Sequence, residues 1–342
     1  MKIVGCDLHT RYQQIAMLDQ ETGELIERRL EHESGEARAF YAAVAAPVRV
    51  GIEATGHTRW FERMLAELGH ELWIGDAAEI RASMVRKQKT DTRDAAHLLL
   101  SERFPRIWRP TLAERDLRQL VWHRQKLVWM RNAVGNQLHA WAMGEGVCRK
   151  KKLFTKKGRA ELESLALGRW ASHRRHELLE MLDQLDTSVE ELDRAVAEQA
   201  EQNAAAVLLM THPGVGPVTS LAFVLTIGPV GRFQRSKQVV SYLGLNPREH
   251  SSGGRQRLGA ISKQGNPMMR SLLVEAGHTA ARLDPELRQD DQRLKLRRGS
   301  GVAKVAMARK LVVRMYWMLR SPANYAQLVR MQGSPRGTLV GQ

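Results

Sequence analysis

The order of regular segments in the first hundred residues constrains the fold more than any other feature of this sequence. Three strand-like segments come first, KIVGCDLH, QQIAMLDQ and LIERRLEH, with a polar turn, ETGE, between the second and the third. This pattern predicts an antiparallel meander. A helical stretch from Ser34 to Ala46 follows, then the strand VRVGIEAT, the helix TRWFERMLAELG, the strand HELWIGD and a further helix that begins near Thr90.

Three strands followed by alternating helices and strands are typical of an RNase H-like, or RuvC-like, fold. A Rossmann-like fold is the rival, but the chain has no glycine-rich turn after its first strand. We therefore expect an α/β domain of the RNase H-like type over residues 1–108, followed by an all-α remainder.

The middle region, residues 109–205, is predicted to be helical. An amphipathic pattern from Thr111 to about Gly144 indicates one long helix. A second helix carries apolar residues at spacings of 4, 3, 4, 3 and 4, namely Leu178, Leu182, Leu185, Val189, Leu192 and Val196. Such a heptad seam is typical of a coiled coil. It either joins two subunits or closes a hairpin with the preceding helix, and we favour self-association.

Residues 206–320 are expected to form a compact helical domain. Its segment PGVGPVTS is similar to the hairpin of a helix-hairpin-helix motif, in which Gly214 and Gly216 expose backbone N–H groups to a phosphate. An ordinary glycine turn between helices is the alternative. Residues 321–342 are rich in Gly, Pro and Arg, and a flexible tail is expected there.

The net charge favours a polyanionic partner. Lys and Arg number 53 against 37 Asp and Glu, a formal net charge of +16. The ranges Arg149 to Arg159 and Arg293 to Arg314 hold seven and eight basic residues and no acidic one, whereas Glu177 to Glu201 holds nine acidic residues. A basic run is also compatible with a solvated face, so sequence motifs must decide whether this protein binds nucleic acid. Candidate contacts to a nucleic-acid backbone are Lys150, Lys151, Lys152, Arg297 and Arg298.

Several classes of protein are excluded. No stretch approaches the ~18 consecutive apolar residues of a membrane span, and the N-terminus resembles a strand instead of a signal peptide. We therefore expect a cytoplasmic protein associated with the nucleoid and no membrane partner. Cys6 and Cys148 are isolated, which excludes a disulfide framework or a cysteine-rich zinc site. A bound metal would have carboxylate ligands.

Two strand carboxylates share a local pattern. Because side chains alternate along a strand, Gly5 and Asp7 lie on one face of KIVGCDLH, and Gly51 and Glu53 lie on one face of VRVGIEAT. A glycine two residues before each acid leaves room for a metal ion and a phosphate. His57, which follows the second motif, is expected to be a surface or second-sphere residue.

A third acidic element is QKTDTRDAAHLLL, in which Asp91 and Asp94 share a face of a first helical turn. Acids at this position also cap a helix, which alone explains either residue. Taken with Asp7 and Glu53, they form a set of four carboxylates. Hard oxygen ligands of this kind suit Mg²⁺, or Mn²⁺, and a two-metal site that acts on phosphodiesters.

These motifs resemble one family over most of the chain. GCDLH, GIEATG, RKQKTDTRDA, PGVGPVTS and the block LGLNPREHSSGG followed by SKQGNPMMRSLL occur in the same order as in the DEDD-type insertion-sequence transposases, the RNA-guided bridge recombinases of the insertion-sequence 110/1111 group.

The resemblance implies roles for particular residues. Asp7, Glu53, Asp91 and Asp94 correspond to the family's four acids, which bind magnesium. The family's serine nucleophile corresponds to Ser252, with Ser251 as the adjacent alternative. Outside the family, a Ser-Ser-Gly-Gly run is usually a flexible turn. Arg255 and Lys263, near this serine, are further candidates for nucleic-acid binding.

The sequence thus predicts a transposase that cuts and rejoins double-stranded DNA at the element ends and the target. The family resemblance adds a structured guide RNA and a homo-oligomer, either a dimer or a tetramer. Two alternatives stay open: a Holliday-junction-type nuclease without a covalent intermediate, and a non-catalytic nucleic-acid-binding protein.

Overall fold

The computed structural model describes residues 2–82, 103–149, 152–249 and 257–333. The chain divides into two compact units, one up to Arg109 and one from Pro110 onward. The boundary expected at residue 108 lies next to this division, and the boundary expected at residue 205 lies inside the second unit.

The first unit contains a five-stranded mixed sheet in the order β3-β2-β1-β4-β5. The first three strands pair antiparallel, and β4 and β5 run parallel to β1. The predicted meander and both later strands are therefore confirmed. The strands are β1 (Lys2–Leu8), β2 (Tyr12–Asp19), β3 (Leu25–Glu31), β4 (Val48–Glu53) and β5 (Glu71–Gly75).

In the described part of the first unit, three helices accompany this sheet: α1 (Glu36–Ala43), α2 (Arg59–Glu67) and α3 (Ala77–Ala82). The main core lies on one face, where strand residues such as Val4, Cys6 and Ile52 pack on Tyr41 of α1 and Phe61 of α2. A smaller cluster on the other face joins Ile3 to Ile80 of α3 and to Phe104. The helix expected to begin near Thr90 lies outside the described residues.

Within the residues that the structure describes, the second unit is helical apart from one β-hairpin. Its elements are α4 (Leu112–Gly144), α5 (Lys156–Glu163), α6 (Arg169–Glu201), α7 (Ala204–Met210), α8 (Pro217–Ile227), a 3₁₀ turn (Val230–Arg232), α9 (Ser236–Tyr242), β6 (Pro247–Glu249), β7 (Leu258–Ile261), α10 (Pro267–Leu283), α11 (Pro285–Arg298), α12 (Ser300–Arg320) and α13 (Tyr325–Gly333). The predicted long helix is confirmed as α4, which begins at a capping box formed by Thr111 and Glu114.

Helices α4 and α6 pack against each other as an antiparallel pair. The heptad residues Leu182 and Leu185 pack on Val134 and Leu138 of α4, while Val196 packs near Val121 at the opposite end. Of the two alternatives for the seam, the structure therefore has the hairpin. The preference for self-association through these residues was wrong, because α4 of the same chain covers them.

The largest core of the second unit includes buried residues along one side of helix α12. Helix α13 covers part of this core with Leu328, which is buried. The backbone N–H of Tyr325 donates to Thr211 Oγ1 at 3.0 Å. A helix therefore occupies residues 325–333, where a flexible tail was expected, because an apolar side chain within this Gly- and Arg-rich segment is buried by packing.

Among the helices of the described residues, none combines the length and the apolar character that crossing a membrane requires.

Candidate active site

Asp7 and Glu53 come from neighbouring parallel strands. The β1–β4 register pairs Gly5 with Gly51 and Cys6 with Ile52, so Asp7 and Glu53 follow directly on the last registered pair. In-register residues of parallel strands face the same way, and adjacent strands lie about 4.8 Å apart. The two carboxylates are therefore neighbours on one face of the sheet.

This face is opposite the main core. Val4 and Cys6 of β1, with Val50 and Ile52 of β4, are buried in the cluster beneath α1 and α2, which confirms the alternation expected for both strands. Burial raises the pKa of the Cys6 thiol, and the nearby Asp7 charge adds to that shift. Cys6 therefore stays a protonated core residue and contributes no ligand on the carboxylate face.

His9 holds the first carboxylate. Its Nε2 lies 3.0 Å from Asp7 Oδ2, and about two fifths of each side chain is exposed. The His9 ring lies against that of Tyr12, with centroids 4.5 Å apart, and the Arg29 guanidinium lies 3.8 Å from the Tyr12 centroid. The sequence reasoning missed His9 as a site residue, although it occurs two positions after the acid.

Glu71 on the edge strand is an acid with a different role. Trp73 Nε1 donates to one of its oxygens at 2.6 Å, and Arg49 Nε donates to the other at 3.2 Å. These two hydrogen bonds, that from Trp73 first, lower the pKa of Glu71. Both of its oxygens thus accept hydrogen bonds from side chains of β4 and β5.

Several predicted site residues lie outside the described residues: Lys150, Lys151, Asp91, Asp94, Ser251, Ser252 and Arg255. Within the described ranges, no group of three or more His, Cys, Asp or Glu side chains has a metal-binding arrangement. The structure therefore brings together two of the four predicted acids.

The candidate nucleophile belongs to a segment that joins the two short strands β6 and β7. These strands pair antiparallel, with Pro247 opposite Ile261. At the base of the hairpin, the Ser262 hydroxyl donates to Asn246 Oδ1 at 2.8 Å, and the Ser262 N–H donates to the Asn246 carbonyl at 2.8 Å. Residues 246 and 262 are thereby joined through both backbone and side chain.

Two glycines allow the chain segments at this base to approach closely. Gly244 has φ +67°, and a Cβ there would lie 2.0 Å from the Gln264 carbonyl oxygen. Gly265 has φ +70°, and its Cβ would lie 2.3 Å from the Tyr242 carbonyl oxygen. Asn266 then caps α10 by accepting from Met268 N at 2.9 Å. The motif residues around the candidate serine thus include backbone contacts that no larger side chain permits.

The glycines of PGVGPVTS differ from each other. Gly214 has φ +86° and lies against α10, where a Cβ would be 2.5 Å from the Ala280 nitrogen. Gly216 precedes Pro217 at the start of α8, and nothing lies within 4 Å of its Cβ position. Packing alone explains Gly214, whereas Gly216 has no packing neighbour that requires glycine among the described residues.

The described basic candidates are all exposed. Lys152 lies in the turn before α5, and Lys263 lies beside the hairpin base with φ +58°. Arg297 and Arg298 occupy the last turn of α11, where cations also favour the helix dipole. Their positions are compatible with contacts to a phosphate backbone.

Comparison with known proteins gives the same family for both units. The model of the DEDD transposases of the IS110 type matches residues 4–143, and the model described as Transposase IS116/IS110/IS902 family matches residues 206–292. The first range contains Asp7 and Glu53, and the second contains the hairpin.

The chain is also similar to individual proteins along its length. It is 27% identical over 335 residues to a "Probable family 20 transposase" of Pseudomonas aeruginosa, with 93% of this chain and 96% of that protein covered. It is 28% identical over 332 residues to the transposase for insertion sequence element IS1111A of Coxiella burnetii, covering 91% and 87%. A pilin gene-inverting protein of Moraxella lacunata is 30% identical over 125 residues, covering 36% and 38%.

Proposed function

Since this chain belongs to the IS110-type DEDD transposases, and is therefore a DNA strand-transfer enzyme, we propose that it moves a bacterial insertion sequence by cutting and rejoining double-stranded DNA with sheet-bound carboxylates and a serine nucleophile. The observation that carries the proposal is the position of Asp7 and Glu53 on neighbouring strands. A DNA substrate of this kind locates the reaction at the bacterial nucleoid.

The proposed fold of the first unit is RNase H-like. Its support is the strand order β3-β2-β1-β4-β5, with β1 in the centre and with β4 and β5 parallel to it. In this arrangement Asp7 on β1 and Glu53 on β4 are the natural first two acids of a four-acid set, which Asp91 and Asp94 would complete.

The donor chemistry of this site fits a divalent metal ion, and we propose Mg²⁺, with Mn²⁺ as a possible substitute. Asp7 and Glu53 supply hard oxygen ligands on one face of the sheet, and the residue two positions before each is a glycine. A bound ion of this kind would stabilise negative charge on the phosphate and on the oxygens that attack and leave. Asp7 would be held in place by His9.

The proposed nucleophile is the Ser252 hydroxyl. Its oxygen forms a bond to the scissile phosphorus while the bond from phosphorus to a sugar oxygen breaks. The proton that the serine loses balances the proton that the leaving oxygen gains. The phosphoserine link conserves the energy of the broken phosphodiester bond. In the reverse step, a sugar hydroxyl displaces the serine. In the sequence, Ser252 lies between Asn246 and Ser262, which are joined by two hydrogen bonds.

The proposal includes a structured guide RNA and a homo-oligomer. The formal net charge of +16 supports polyanionic partners. Because α4 covers the heptad seam of α6, an oligomer would use another surface. The exposed side chains of Trp122, Trp129 and Met143 on α4 offer an apolar one. The open space at the Cβ position of Gly216, directly before α8, supports a helix-hairpin-helix-like contact to a phosphate.

The test compares two acids on the same sheet face. A plasmid carrying the insertion sequence with its flanking DNA is supplied with the wild-type chain, Glu53→Gln or Glu71→Gln, and excision is measured by junction PCR. Glu53→Gln should abolish excision and leave DNA binding in a mobility-shift assay unchanged. Glu71→Gln should retain excision. If Glu53→Gln still excised the element, the carboxylate site would not be required for the reaction.

A second measurement separates the covalent mechanism from its alternatives. The wild-type chain and Ser252→Ala are mixed with end-labelled DNA and Mg²⁺, denatured and resolved by electrophoresis. A labelled protein–DNA adduct that is absent with Ser252→Ala supports the serine. DNA cutting without an adduct in either protein would favour a Holliday-junction-type nuclease. Binding without cutting by the wild-type chain would favour a non-catalytic nucleic-acid-binding protein.

A further inference from the structure

A cleft of about 840 Å³ lies between α9 and α12 in the second unit. Its volume is within the range of ~300–1,000 Å³ that is usual for small-ligand pockets. Apolar side chains form much of its wall, and cations lie among them: Val240, Ala306, Val313 and Trp317, with Lys237 and Arg309. The cleft therefore combines an apolar, aromatic wall with positive charge.

The charge of the cleft is not cancelled by its own acids. The buried Arg314 is paired with Asp284 at 3.1 Å and with Glu286 at 2.5 Å, and Lys310 is paired with Asp290. Lys237 and Arg309 have no acidic partner in the parts of the chain that the structure describes. Two exposed cations therefore remain at the cleft, which favours an anionic ligand.

The aromatic wall is held in place by packing. Trp317 is partly buried against the main core of the second unit, and its ring lies edge-on to that of the buried Tyr316, with centroids 5.2 Å apart. Rigid aromatic side chains of this kind provide a surface on which a nucleobase of any sequence stacks.

The cleft adjoins the hairpin base. Asn246 lines the cleft, and the same side chain accepts the hydrogen bond from Ser262 that joins the two ends of the hairpin. A ligand in the cleft would therefore touch the residue that precedes β6, the strand that leads to the candidate serine.

We propose that this cleft binds one unpaired nucleotide of a nucleic-acid strand, with its base between Val240, Val313 and Trp317 and its phosphate at Lys237 and Arg309. An extrahelical base suits an apolar cavity of this size, whereas a fully paired duplex presents only its backbone to it. This inference rests on the proposed function, and it adds a site that holds the nucleic-acid strand beside the hairpin.

The experiment measures binding of the full-length chain to fluorescein-labelled duplexes of one sequence by anisotropy. The duplexes are fully paired, carry one extra unpaired nucleotide, or carry an abasic residue at that position, and each is made as DNA and as RNA. The wild-type chain should bind the duplex with the unpaired nucleotide about tenfold more tightly than the abasic one. A preference in DNA, in RNA or in both supports the cleft and identifies the source of the nucleotide.

Variants then test whether the cleft causes the preference for the unpaired nucleotide. Val313→Trp, which fills the cleft, and the double variant Lys237→Ala with Arg309→Ala should lose the preference for the unpaired base. The matched control Arg282→Ala with Arg293→Ala removes the same charge from exposed positions outside the cleft and should keep it. Thermal melting by circular dichroism checks that the variants are folded. Retention of the preference in both cleft variants would overturn the assignment.

The outcomes also separate this inference from the proposed function. Equal binding of unpaired and abasic duplexes by the wild-type chain overturns the cleft assignment but leaves strand transfer untouched, because excision is measured independently. Failure to bind any duplex would count against both.

Discussion

The carboxylate pair in the first unit and the hairpin base in the second unit are positioned by different means. Asp7 and Glu53 are neighbours because two regular parallel strands keep a continuous register. Asn246 and Ser262 are neighbours because short, irregular segments approach through glycines with positive φ. A regular sheet distributes the positioning of a site over many equivalent hydrogen bonds. The irregular hairpin base depends on a few particular atoms. Single substitutions there should therefore lower the free energy of unfolding more.

The largest expected effect is that of Gly244→Ala at the hairpin base. The added methyl group would lie 2.0 Å from a carbonyl oxygen on a backbone with φ +67°. We expect the free energy of unfolding, measured by urea denaturation, to fall by about 3 kcal/mol, and excision to be lost.

Gly146→Ala is the matched control for this change, because Gly146 has φ +83° and nothing lies within 4 Å of its Cβ position. It should cost about 1 kcal/mol, the penalty for the backbone conformation alone. Equal losses in the two variants would show that close approach is not what makes the hairpin base sensitive.

The next effect is a loss of stability of the second unit at acidic pH. His212 is buried, and desolvation first, then the nearby Arg314, lowers its pKa from 6.5 to about 4. Below pH 6.5 the unfolded chain gains a proton at this residue that the folded chain does not, so stability should fall as the pH drops from 6.5 towards 4. The loss at pH 5 should be about 2 kcal/mol relative to pH 7.5.

Urea denaturation of the wild-type chain and of His212→Gln across this pH range measures the effect. The variant should lose most of the slope, and the exposed His57→Gln should keep it. If hydrogen exchange at pH 5 increased in the five-stranded sheet and not around α7 and α13, the assignment to His212 would be contradicted.

A smaller effect is expected from the hydrogen bond between Ser262 and Asn246. Asn246→Ala and Ser262→Ala should each lower the free energy of unfolding by about 1 kcal/mol, and the double variant should lose less than the sum. Excision should decline in all three, because the two ends of the hairpin are less firmly joined. Strict additivity in the double-mutant cycle would mean that the pair does not act as a unit.

The smallest of these effects is expected at His9, the contact partner of Asp7. His9→Gln removes the partner of Asp7, but a contact between side chains this exposed contributes less than about 1 kcal/mol, so the Mg²⁺ concentration for half-maximal excision should rise only about threefold. His57→Gln, a change at an exposed histidine, serves as the control. A loss of excision as large as that of Glu53→Gln would give His9 a direct role in the reaction.

Regular periodicity explains how much of the first unit could be predicted. Alternation in β1 and β4 was sufficient to assign Gly5, Asp7, Gly51 and Glu53 to one face, because every side chain of a strand follows the same rule. His9 was missed because it lies just after the strand, where alternation no longer applies. Its proximity to Asp7 depends on the turn into β2.

The second unit was harder to predict because its contacts are not periodic. The heptad of α6 identified the residues of the seam, but spacing alone does not distinguish a partner helix in the same chain from one in another chain. The hairpin base depends on Gly244 and Gly265, whose positive φ and close backbone neighbours have no signature beyond the glycines themselves. Helix α13 was missed because, among its side chains at residues 325–330, only Leu328 is buried, within a polar and basic segment.

The parallel register of β1 and β4 also determines which changes in chain length the carboxylate pair tolerates. Because side chains alternate with a period of two, deleting one residue from either strand would turn its acid towards the helices α1 and α2 and bring an apolar side chain to the opposite face. Deleting two residues would restore the orientation but move the acid about 6.6 Å along the strand, away from its neighbour. Insertions and deletions in these strands should therefore inactivate the enzyme even where the sheet still folds, whereas the turn between β2 and β3, remote from both acids, can vary in length.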